Sequence, residues 1–465
     1  MTEHRLAAAP EEAERPLKTR RLAFAIVAVG LFMSSMDQTV VATALPAFQR
    51  DLDAALNWSG WTITVYALGQ VLAMPIAGRL SDQVGRKKVF LIAVGVFTLT
   101  SLCCALAPNI YVLVFFRALQ GLGGGAMIPS ATGIVSDEFR RDRDRAVGMF
   151  TSIFPIGGIV GPIIGGAFVT YTSWRVIFLV NVPIGVALLF LGIKFISATP
   201  RKPAPAIDYS GIALLGSLLL LAMFGFAHLG SPGSQVTDPL FIGTELAAVA
   251  LAALSVRHSI RHRSPFIPIR LLRGRTFGAM NALNFVFGGA ALGFGALVPL
   301  YAQQRFDIDA LASGTLLTAR AVGMICVAGL TVLALRRTGH RVPMAVGLLV
   351  VATGLILMSM PPQEMSAYVW LAVAAGVTGL GMGCFVPAAN NAGLHLAGDE
   401  LAASAGLRGM FRMAGLIVAV SLTTAMLSRS GDPGLTQAHG FLLCAVLLLV
   451  SLPLVLSPPD HRGRW

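Results

Sequence analysis

Long apolar segments, separated by short polar connections, follow one another along nearly the whole chain. Each segment has roughly 18 to 26 residues, the length that a helix rising about 1.5 Å per residue needs to cross a hydrocarbon core about 30 Å thick. This pattern predicts an all-α integral membrane protein. The fourteen predicted membrane-spanning helices cover residues 23–47, 58–79, 88–107, 110–135, 146–170, 176–197, 210–229, 239–256, 277–303, 313–335, 343–360, 368–393, 402–428 and 438–457.

The cationic residues support this count, because they are crowded into alternate connections. If the N-terminus is cytoplasmic, the two tails and every second connection hold about 27 of the 35 lysines and arginines, as the positive-inside rule predicts. One helix more or fewer would destroy the alternation. We therefore predict that both termini are cytoplasmic. The opposite connections hold only Arg50, Arg175, Arg305 and Arg429.

Composition agrees with a membrane protein and limits its partners. Hydrophobic residues make up 55% of the chain and charged residues 12%, whereas soluble proteins are about 25% charged. The net charge of +13 does not indicate nucleic-acid binding, because the cations lie in short loops at the membrane surface, where anionic lipid is the expected partner. The five cysteines fall within predicted spans without metal-type spacing, so no metal site is predicted. The polar start is read as an uncleaved tail.

An internal repeat indicates how the helices are grouped. GLGGGAMIPSAT (121–132) resembles GLGMGCFVPAAN (379–390) at an offset of 258 residues. Duplicated bundles are common in transporters. We predict two six-helix bundles, two inserted helices and two short tails. These units are a cytoplasmic tail at 1–21, the N-terminal bundle at 22–200, the inserted helices and linker at 201–275, the C-terminal bundle at 276–457 and a tail at 458–465.

Five motifs lie in order on these segments. They are MDQTVVATALP (36–46), GRLSDQVGRKK (78–88), RALQG (117–121), GGIVGPIIGG (157–166) and SWRVIFLVNVPIG (173–185). With these motifs, the chain resembles the major facilitator superfamily, and within it the fourteen-helix drug/proton antiporter branch. The resemblance implies two bundles that rock around a central cavity, proton-driven drug export, and a role for the 78–88 loop as a latch of the cytoplasmic gate.

Asp37 and Arg117 are the candidate proton-coupling residues. Asp37 lies within about 3 Å of the middle of its helix, where an ionised carboxylate is costly unless it is paired or hydrated. Arg117 cannot discharge by deprotonation, so it needs a cavity or an anion, and Asp37 is the nearest candidate in the first half. Such a pair lets proton and substrate exclude each other. The alternatives are that Asp37 is a protonated packing acid and that Arg117 only ties helices together.

The other candidate residues fall into three groups. In the 78–88 loop, Gly85 permits a tight turn, Asp82 accepts hydrogen bonds, and Arg86 and Lys87 are expected to meet lipid headgroups. Glycines repeating every four residues predict a tight, bendable helix seam. The gating-loop candidates are Gly78, Asp82, Gly85, Arg86 and Lys87; the antiporter-seam candidates are Gly157, Gly161, Pro162, Gly165 and Gly166; the substrate-cavity candidates are Met33, Met36, Phe116, Gln120, Phe154 and Arg320.

Several functions are excluded by what the chain lacks. No Walker lysine appears, which argues against an ATP-driven pump, and no catalytic nucleophile and base stand out, so the chain is not read as an enzyme. No cofactor is expected beyond the proton gradient. His258 and His262 share a helical spacing but lie in an arginine-rich loop, where we expect them to be solvated rather than metal-bound.

The leading function is export of hydrophobic or amphipathic compounds across the inner membrane in exchange for protons, by a protein expected to be a monomer. Arg320 lies in a predicted span that contains no acid. A pocket that contains this arginine is expected to bind neutral, zwitterionic or anionic substrates at least as well as dications. A facilitator-type exporter of one lipid or metabolite is the first rival, and a non-transporting membrane sensor is the second.

Overall fold

The computed structural model describes residues 16–139, 146, 149–150, 153–198, 207–231, 233–262, 265–266, 274–360, 364–396 and 401–458. Within these ranges all regular structure is helical. Twelve helices are long and apolar enough to cross a membrane, and a helix pair bent by 41° makes up to thirteen. A shorter apolar helix covers Ile156–Tyr171. The predicted all-helical membrane protein is confirmed at this level, while the number of fourteen spans stays a prediction.

The first half of the chain forms helices that pack mainly on α5. Their contacts place α3 and α4 against α5, while α1 packs on α6. The tail at 1–21 lies largely outside the described residues. In chain order the helices are α1 (Leu17–Val40), α2 (Leu45–Asp51), α3 (Leu56–Val84), α4 (Arg86–Ala105), α5 (Ile110–Glu138), α6 (Ile153–Tyr171), α7 (Arg175–Leu179) and α8 (Asn181–Phe195).

The second half repeats this packing around a single central helix. Here α14 and α15 both pack on α16, as α3 and α4 pack on α5. Its first membrane helix contains a glycine-rich π-helical segment, Gly288–Gly293, and bends by 41° between Gly293 and Val298. π-helical turns of this kind often mark functional sites. In chain order the helices are α11 (Arg275–Phe287), α12 (Phe294–Ala296), α13 (Val298–Phe306), α14 (Ala310–Thr338), α15 (Arg341–Ser359), α16 (Ala367–Leu396), α17 (Leu401–Leu427) and α18 (Pro433–Val450).

Between the halves lie two helices, α9 (Tyr209–Leu229) and α10 (Pro239–Arg261), which pack on each other. α9 also contacts both α3 and α17, so it touches both halves. At its end, Asn57 donates a hydrogen bond to the Ala227 carbonyl at 2.6 Å. Ser428 donates to the Gly230 carbonyl at 2.7 Å. The inserted hairpin therefore ties the start of α3 to the end of α17.

The segment between α1 and α3, residues 41–55, marks one end of the molecule, which we call the far end. Three contacts hold the halves together at this end. Gln303 donates to the Thr43 carbonyl at 3.4 Å. Gly166 lies against the backbone of Ala310, and Gly60 lies against the side chain of Thr424. A Cβ at either glycine would clash, so these close approaches depend on the missing side chain.

Candidate functional site

Asp37 and Arg117 form a salt bridge in the interior of the first half. Asp37 lies near the end of α1 and Arg117 lies in the second turn of α5. Both side chains are 0% exposed, and Arg117 Nη1 donates to Asp37 Oδ2 at 2.5 Å. The two residues are 80 positions apart in the chain. The packing of α1 against α5 therefore brings together two residues that are far apart in the sequence.

Two amides bind the second oxygen of the Asp37 carboxylate. Gln120 Nε2 donates to Asp37 Oδ1 at 3.1 Å and Asn181 Nδ2 donates to the same oxygen at 2.9 Å. Both amides also donate to Ser101 Oγ, at 3.0 and 3.1 Å. Ser101 in turn donates to the Phe178 carbonyl at 3.0 Å. Four helices thus converge on one carboxylate, which is held from both oxygens.

Arg117 is fixed by further contacts around its guanidinium. Its Nε donates to the Thr62 carbonyl at 3.0 Å and its Nη1 also donates to Gln120 Oε1 at 2.7 Å. The guanidinium lies over the Tyr66 ring, 4.1 Å from the ring centroid, a cation–π arrangement. Nη2 has no hydrogen-bond partner among the described residues. The N–H groups of Nη2 are therefore able to donate to a further acceptor.

The arrangement makes the charges of the two residues depend on each other. While both are ionised, the buried charges compensate, which removes most of the cost of burying either one. Adding a proton to Asp37 leaves Arg117 without a counter-charge in a dry site. That state becomes acceptable only if the helices separate, water enters, or another anion approaches Arg117. The site is thus chemically suited to link a proton to a structural change or to a ligand.

Sequence reasoning missed four residues of this site: Ser101, Asn181, Tyr66 and Thr62. Asn181 had a signal, since it is a polar residue in the middle of the motif 173–185, but its direction toward Asp37 was not predicted. Ser101 had none, because small hydroxyl residues are common in membrane helices. Thr62 takes part through its backbone carbonyl, which no side-chain pattern reports. Tyr66 contributes its ring face to Arg117 rather than its hydroxyl.

The predicted cavity residues do not form one group. Gln120 joins the Asp37 site, whereas Met33 is fully buried among Tyr66, Phe90 and other core residues of the first half. Met36 is also buried, and Phe116 is half-buried against the core. The Phe154 side chain lies outside the described residues. Met33 and Met36 are therefore buried in this structure, and their assignment to the substrate cavity stays a prediction.

The connection between α3 and α4 is a single residue, Gly85, with φ 109°, a conformation that L side chains rarely adopt. Arg86 is the first residue of α4 and forms a salt bridge with Asp137 of α5 at 2.7 Å. A second, longer salt bridge joins Arg86 to Asp82 at 3.6 Å. It also donates to the Gly133 carbonyl at 2.6 Å. Lipid-headgroup contact was expected for Arg86, but its side chain is only 15% exposed and turned toward α5. These contacts stay within the first half.

Lys87, the next residue, also differs from the expectation. Its Nζ donates to the Ile193 carbonyl near the end of α8 at 2.7 Å. Because that carbonyl belongs to the last turn of a helix, it carries negative partial charge that a cation stabilises. Arg86 and Lys87 therefore join α4 to two neighbouring helices. Gly78, on the preceding helix, has ordinary space around it.

The glycine seam of α6 has two faces. Gly157, Gly161 and Gly165 face α1, where an added Cβ would clash with Ser35, Thr39 and Thr43. The neighbouring face meets α14 of the second half, through Gly166 and the Pro162 carbonyl. One face therefore packs within the first half and the other packs between halves.

Three arginines lie in membrane helices of the second half. Arg320 in α14 is half-buried and donates to the Ala291 carbonyl at 3.2 Å. Arg408 in α17 donates to the Ala389 carbonyl at 2.8 Å, and the Nε of Arg412, one turn on, is buried without a hydrogen bond to any described residue. In the parts of the chain that are described, neither Arg320 nor Arg412 forms a salt bridge. Sequence reasoning named Arg320 but missed Arg408 and Arg412, although their four-residue spacing in an apolar run was visible.

Two packed sets of membrane helices, with a buried ion pair inside one of them, are the architecture of a multi-pass membrane transport protein. The family model described as Major Facilitator Superfamily matches residues 27–420 and 282–465. The chain belongs to the Major Facilitator Superfamily, a family of transporters rather than enzymes. The predicted resemblance is confirmed, including its drug-efflux branch, by the relatives named next.

Relatives with curated names show the same likeness. The chain is 30% identical to "Multidrug resistance protein 3" of Bacillus subtilis (strain 168), over 76% of this chain and 69% of that protein. It is 31% identical to the "Tetracenomycin C resistance and export protein" of Streptomyces glaucescens, over 87% of this chain and 76% of that protein. A match to "Multidrug transporter protein MdtP" of Bacillus subtilis spans 66% of its length.

Among solved structures, a crystal structure of the peptide transporter POT in complex with sulfate has a TM-score of 0.68 at 17% identity. The match covers 95% of this chain and 96% of that one. At this identity the likeness describes the fold alone.

Proposed function

We propose that this protein exports hydrophobic or amphipathic compounds, such as drugs or antibiotics, across the cytoplasmic membrane in exchange for protons. The observation that carries the proposal is the Asp37–Arg117 salt bridge, buried and supported by Gln120 and Asn181. A transporter that needed no proton would have little reason to bury an acid and an arginine among apolar helices. The relatives, which are named as multidrug resistance and export proteins, support the same function.

In this proposal the chain has fourteen membrane helices and both termini in the cytoplasm. The twelve long helices, the bent pair from Thr276 to Phe306 and the shorter helix Ile156–Tyr171 together supply this number. The domains are the two bundles at 22–200 and 276–457 with the inserted hairpin between them. The far end then faces outward, so the contacts of Thr43, Gly60 and Gly166 seal the outer side in this conformation.

Alternating access follows from this arrangement. The bundles rock about the interface of α6 with α14 and of α3 with α17. Opening the outer side separates Gly60 from Thr424 and Gly166 from Ala310. In one of the two states, water reaches Asp37 and the carboxyl exchanges its proton. A polar or cationic substrate group that takes over one contact of the ionised Asp37 carboxylate competes with the proton for that carboxylate, so that binding of substrate and binding of a proton exclude each other.

The substrate range is expected to include neutral, zwitterionic or anionic amphiphiles rather than dications alone. Within the described residues, the second half offers Arg320 and Arg412, neither of which forms a salt bridge there. A molecule bearing one acidic group would compensate such a cation, whereas a dication would be repelled by it. Anionic lipid remains the expected partner of the exposed cations at the cytoplasmic surface, and the working unit is proposed to be the monomer.

The proposal is tested in sealed proteoliposomes that carry a pH gradient. Cationic, neutral and anionic amphiphiles are added in turn, and proton release is followed with a fluorescent pH probe. Wild type is expected to dissipate the gradient with several compounds and Asp37→Asn with none, while folding is retained. Glu245→Gln, which removes another acid of a membrane helix, is the matched control and is expected to behave as wild type.

The same assay separates the proposal from its rivals. A gradient that stays intact while a labelled compound crosses the bilayer would indicate a facilitator without proton coupling. Ligand binding without any movement across the bilayer would indicate a sensor. Unchanged exchange in Asp37→Asn would remove Asp37 from the coupling step.

A further inference from the structure

Two histidines and one aspartate meet at the near end of the inserted hairpin, opposite its contacts with Asn57 and Ser428. Asp208 immediately precedes α9, His258 lies in the last turn of α10, and His262 follows that helix. His258 Nε2 lies 2.8 Å from Asp208 Oδ1, and the ring centroids of His258 and His262 are 5.0 Å apart. One potential ligand atom from each of the three residues lies within 4.8 Å of the others. The two histidines were expected to be solvated, but His258 lies within hydrogen-bond distance of Asp208.

We infer that Asp208, His258 and His262 form a binding site for a Zn²⁺-like divalent metal ion, which clamps the start of α9 to the end of α10. Two imidazoles and one carboxylate are the three-ligand set that zinc accepts together with a water molecule in the fourth position. Histidines four residues apart on a helix present their rings on one face, the spacing used by helical metal sites. The inference does not depend on the transport proposal.

The carboxylate is held in place as a metal ligand requires. Asp208 is almost fully buried, and it accepts hydrogen bonds from the backbone N–H groups of Gly211 and Phe266, each at 2.8 Å. Second partners of this kind orient ligating carboxylates in metal sites. Asp208 is therefore an oxygen donor held in a fixed orientation.

The geometry needs only a small adjustment. Zinc bonds of about 2.0–2.1 Å place tetrahedral ligand atoms about 3.3 Å apart, so the separation of up to 4.8 Å must shrink by roughly 1.5 Å. His262 is exposed and can supply this movement by a side-chain rotation, whereas Asp208 and His258 already lie close together. Arg257 and Arg261 flank the histidines but are exposed, so their charges are screened by solvent.

The inserted hairpin also provides a matched control at its opposite end. His228 of α9 lies 3.4 Å from Asp238, which precedes α10. This pair has the same two residue types, and His228 is about as exposed as His258, at 26% against 23%. Among the described residues, no third metal-binding side chain joins it. A metal site that depends on three converging ligands is expected at one end only.

The test uses the full-length protein, without a histidine tag, washed with chelator in detergent. Zn²⁺ alone is titrated by calorimetry into wild type, His258→Gln, His262→Gln and His228→Gln. Wild type and His228→Gln are expected to bind one ion with equal affinity, and His262→Gln to bind about tenfold or more weakly. Because His262 is exposed, His262→Gln is expected to fold normally even if His258→Gln does not.

A second readout on the same proteins is thermal unfolding with and without Zn²⁺. An ion that binds only the folded state raises the melting temperature as its concentration exceeds the dissociation constant. The rise is expected in wild type and His228→Gln and is expected to be lost in His262→Gln. Failure of wild type to bind Zn²⁺, or binding by His262→Gln as tight as that of wild type, would overturn the inference.

Discussion

Arg117 Nη1 donates to Asp37 Oδ2 at 2.5 Å, with both side chains fully withdrawn from solvent. Gln120 and Asn181 donate hydrogen bonds to the other oxygen of the Asp37 carboxylate. The carboxylate is therefore neutralised by Arg117 and held in one orientation by the two amides. Removing one partner of such a pair is much more harmful than removing both. This asymmetry gives the first prediction.

Arg117→Gln is expected to lower the free energy of unfolding by about 3–5 kcal/mol, because it leaves a buried carboxylate without its cation. The double variant Asp37→Asn/Arg117→Gln is expected to regain much of that stability but no proton-coupled efflux. Thermal melting in detergent and the proteoliposome assay measure the two effects separately. A double variant no more stable than Arg117→Gln would show that the charges are not coupled.

Asn181→Ala is expected to destabilise the protein by about 1–3 kcal/mol and to slow proton-coupled efflux, since it removes the donor at 2.9 Å from Asp37 Oδ1. The matched control is Asn284→Ala. Asn284 is also a buried amide in a membrane helix, but its side chain donates, among the described residues, only to the Met280 carbonyl in its own helix. If both variants reduced efflux equally, Asn181 would have a packing role alone. Efflux rates and melting temperatures of the two variants decide this.

Alanine substitutions along α6 are expected to separate folding from transport. Gly161→Ala forces a Cβ against α1 within the first half and is expected to lower the melting temperature. Gly166→Ala forces a Cβ against Ala310 of the second half and is expected to reduce transport more than stability.

Gly158→Ala is the control for both, because an added Cβ there meets no atom within 4 Å. It is expected to leave both properties unchanged. Equal loss of transport in all three variants would indicate a general effect on the helix and would contradict two distinct faces.

Arg320→Gln is expected to reduce efflux of anionic amphiphiles more than efflux of neutral ones, by about tenfold in relative rate if one charge-assisted hydrogen bond is lost. Arg337→Gln, on the same helix but exposed, is the control. Competition between a neutral and an anionic compound in one vesicle preparation measures the preference. An unchanged preference would mean that Arg320 does not contact substrate.

The membrane helices could be predicted from the sequence because the signal is local. Twenty apolar residues in a row have few alternatives to a spanning helix, and the cations of the connections report orientation. The repeat of GLGGGA at 121 and GLGMGC at 379 falls on α5 and α16, and two neighbouring helices pack on each of these. Asp37 and Arg117 stood out because ionisable residues in such segments are rare.

The partners of these residues could not be predicted, since they depend on helix rotation and packing. Arg86 was expected at the lipid surface, but the end of α5 brings Asp137 within 2.7 Å of it. Met33 was a candidate residue of the substrate cavity, and in this structure the rotation of α1 directs its side chain into the core of the first half.

The sequence alone therefore determined that this is a helical membrane transporter of the Major Facilitator Superfamily, because hydrophobic length and short motifs are properties of contiguous residues. Only the tertiary structure decided which polar groups share a site. Asn181 lies 144 residues from Asp37, and His258 lies 50 residues from Asp208. When two interacting side chains belong to different helices, the local sequence pattern around each of them does not report the other.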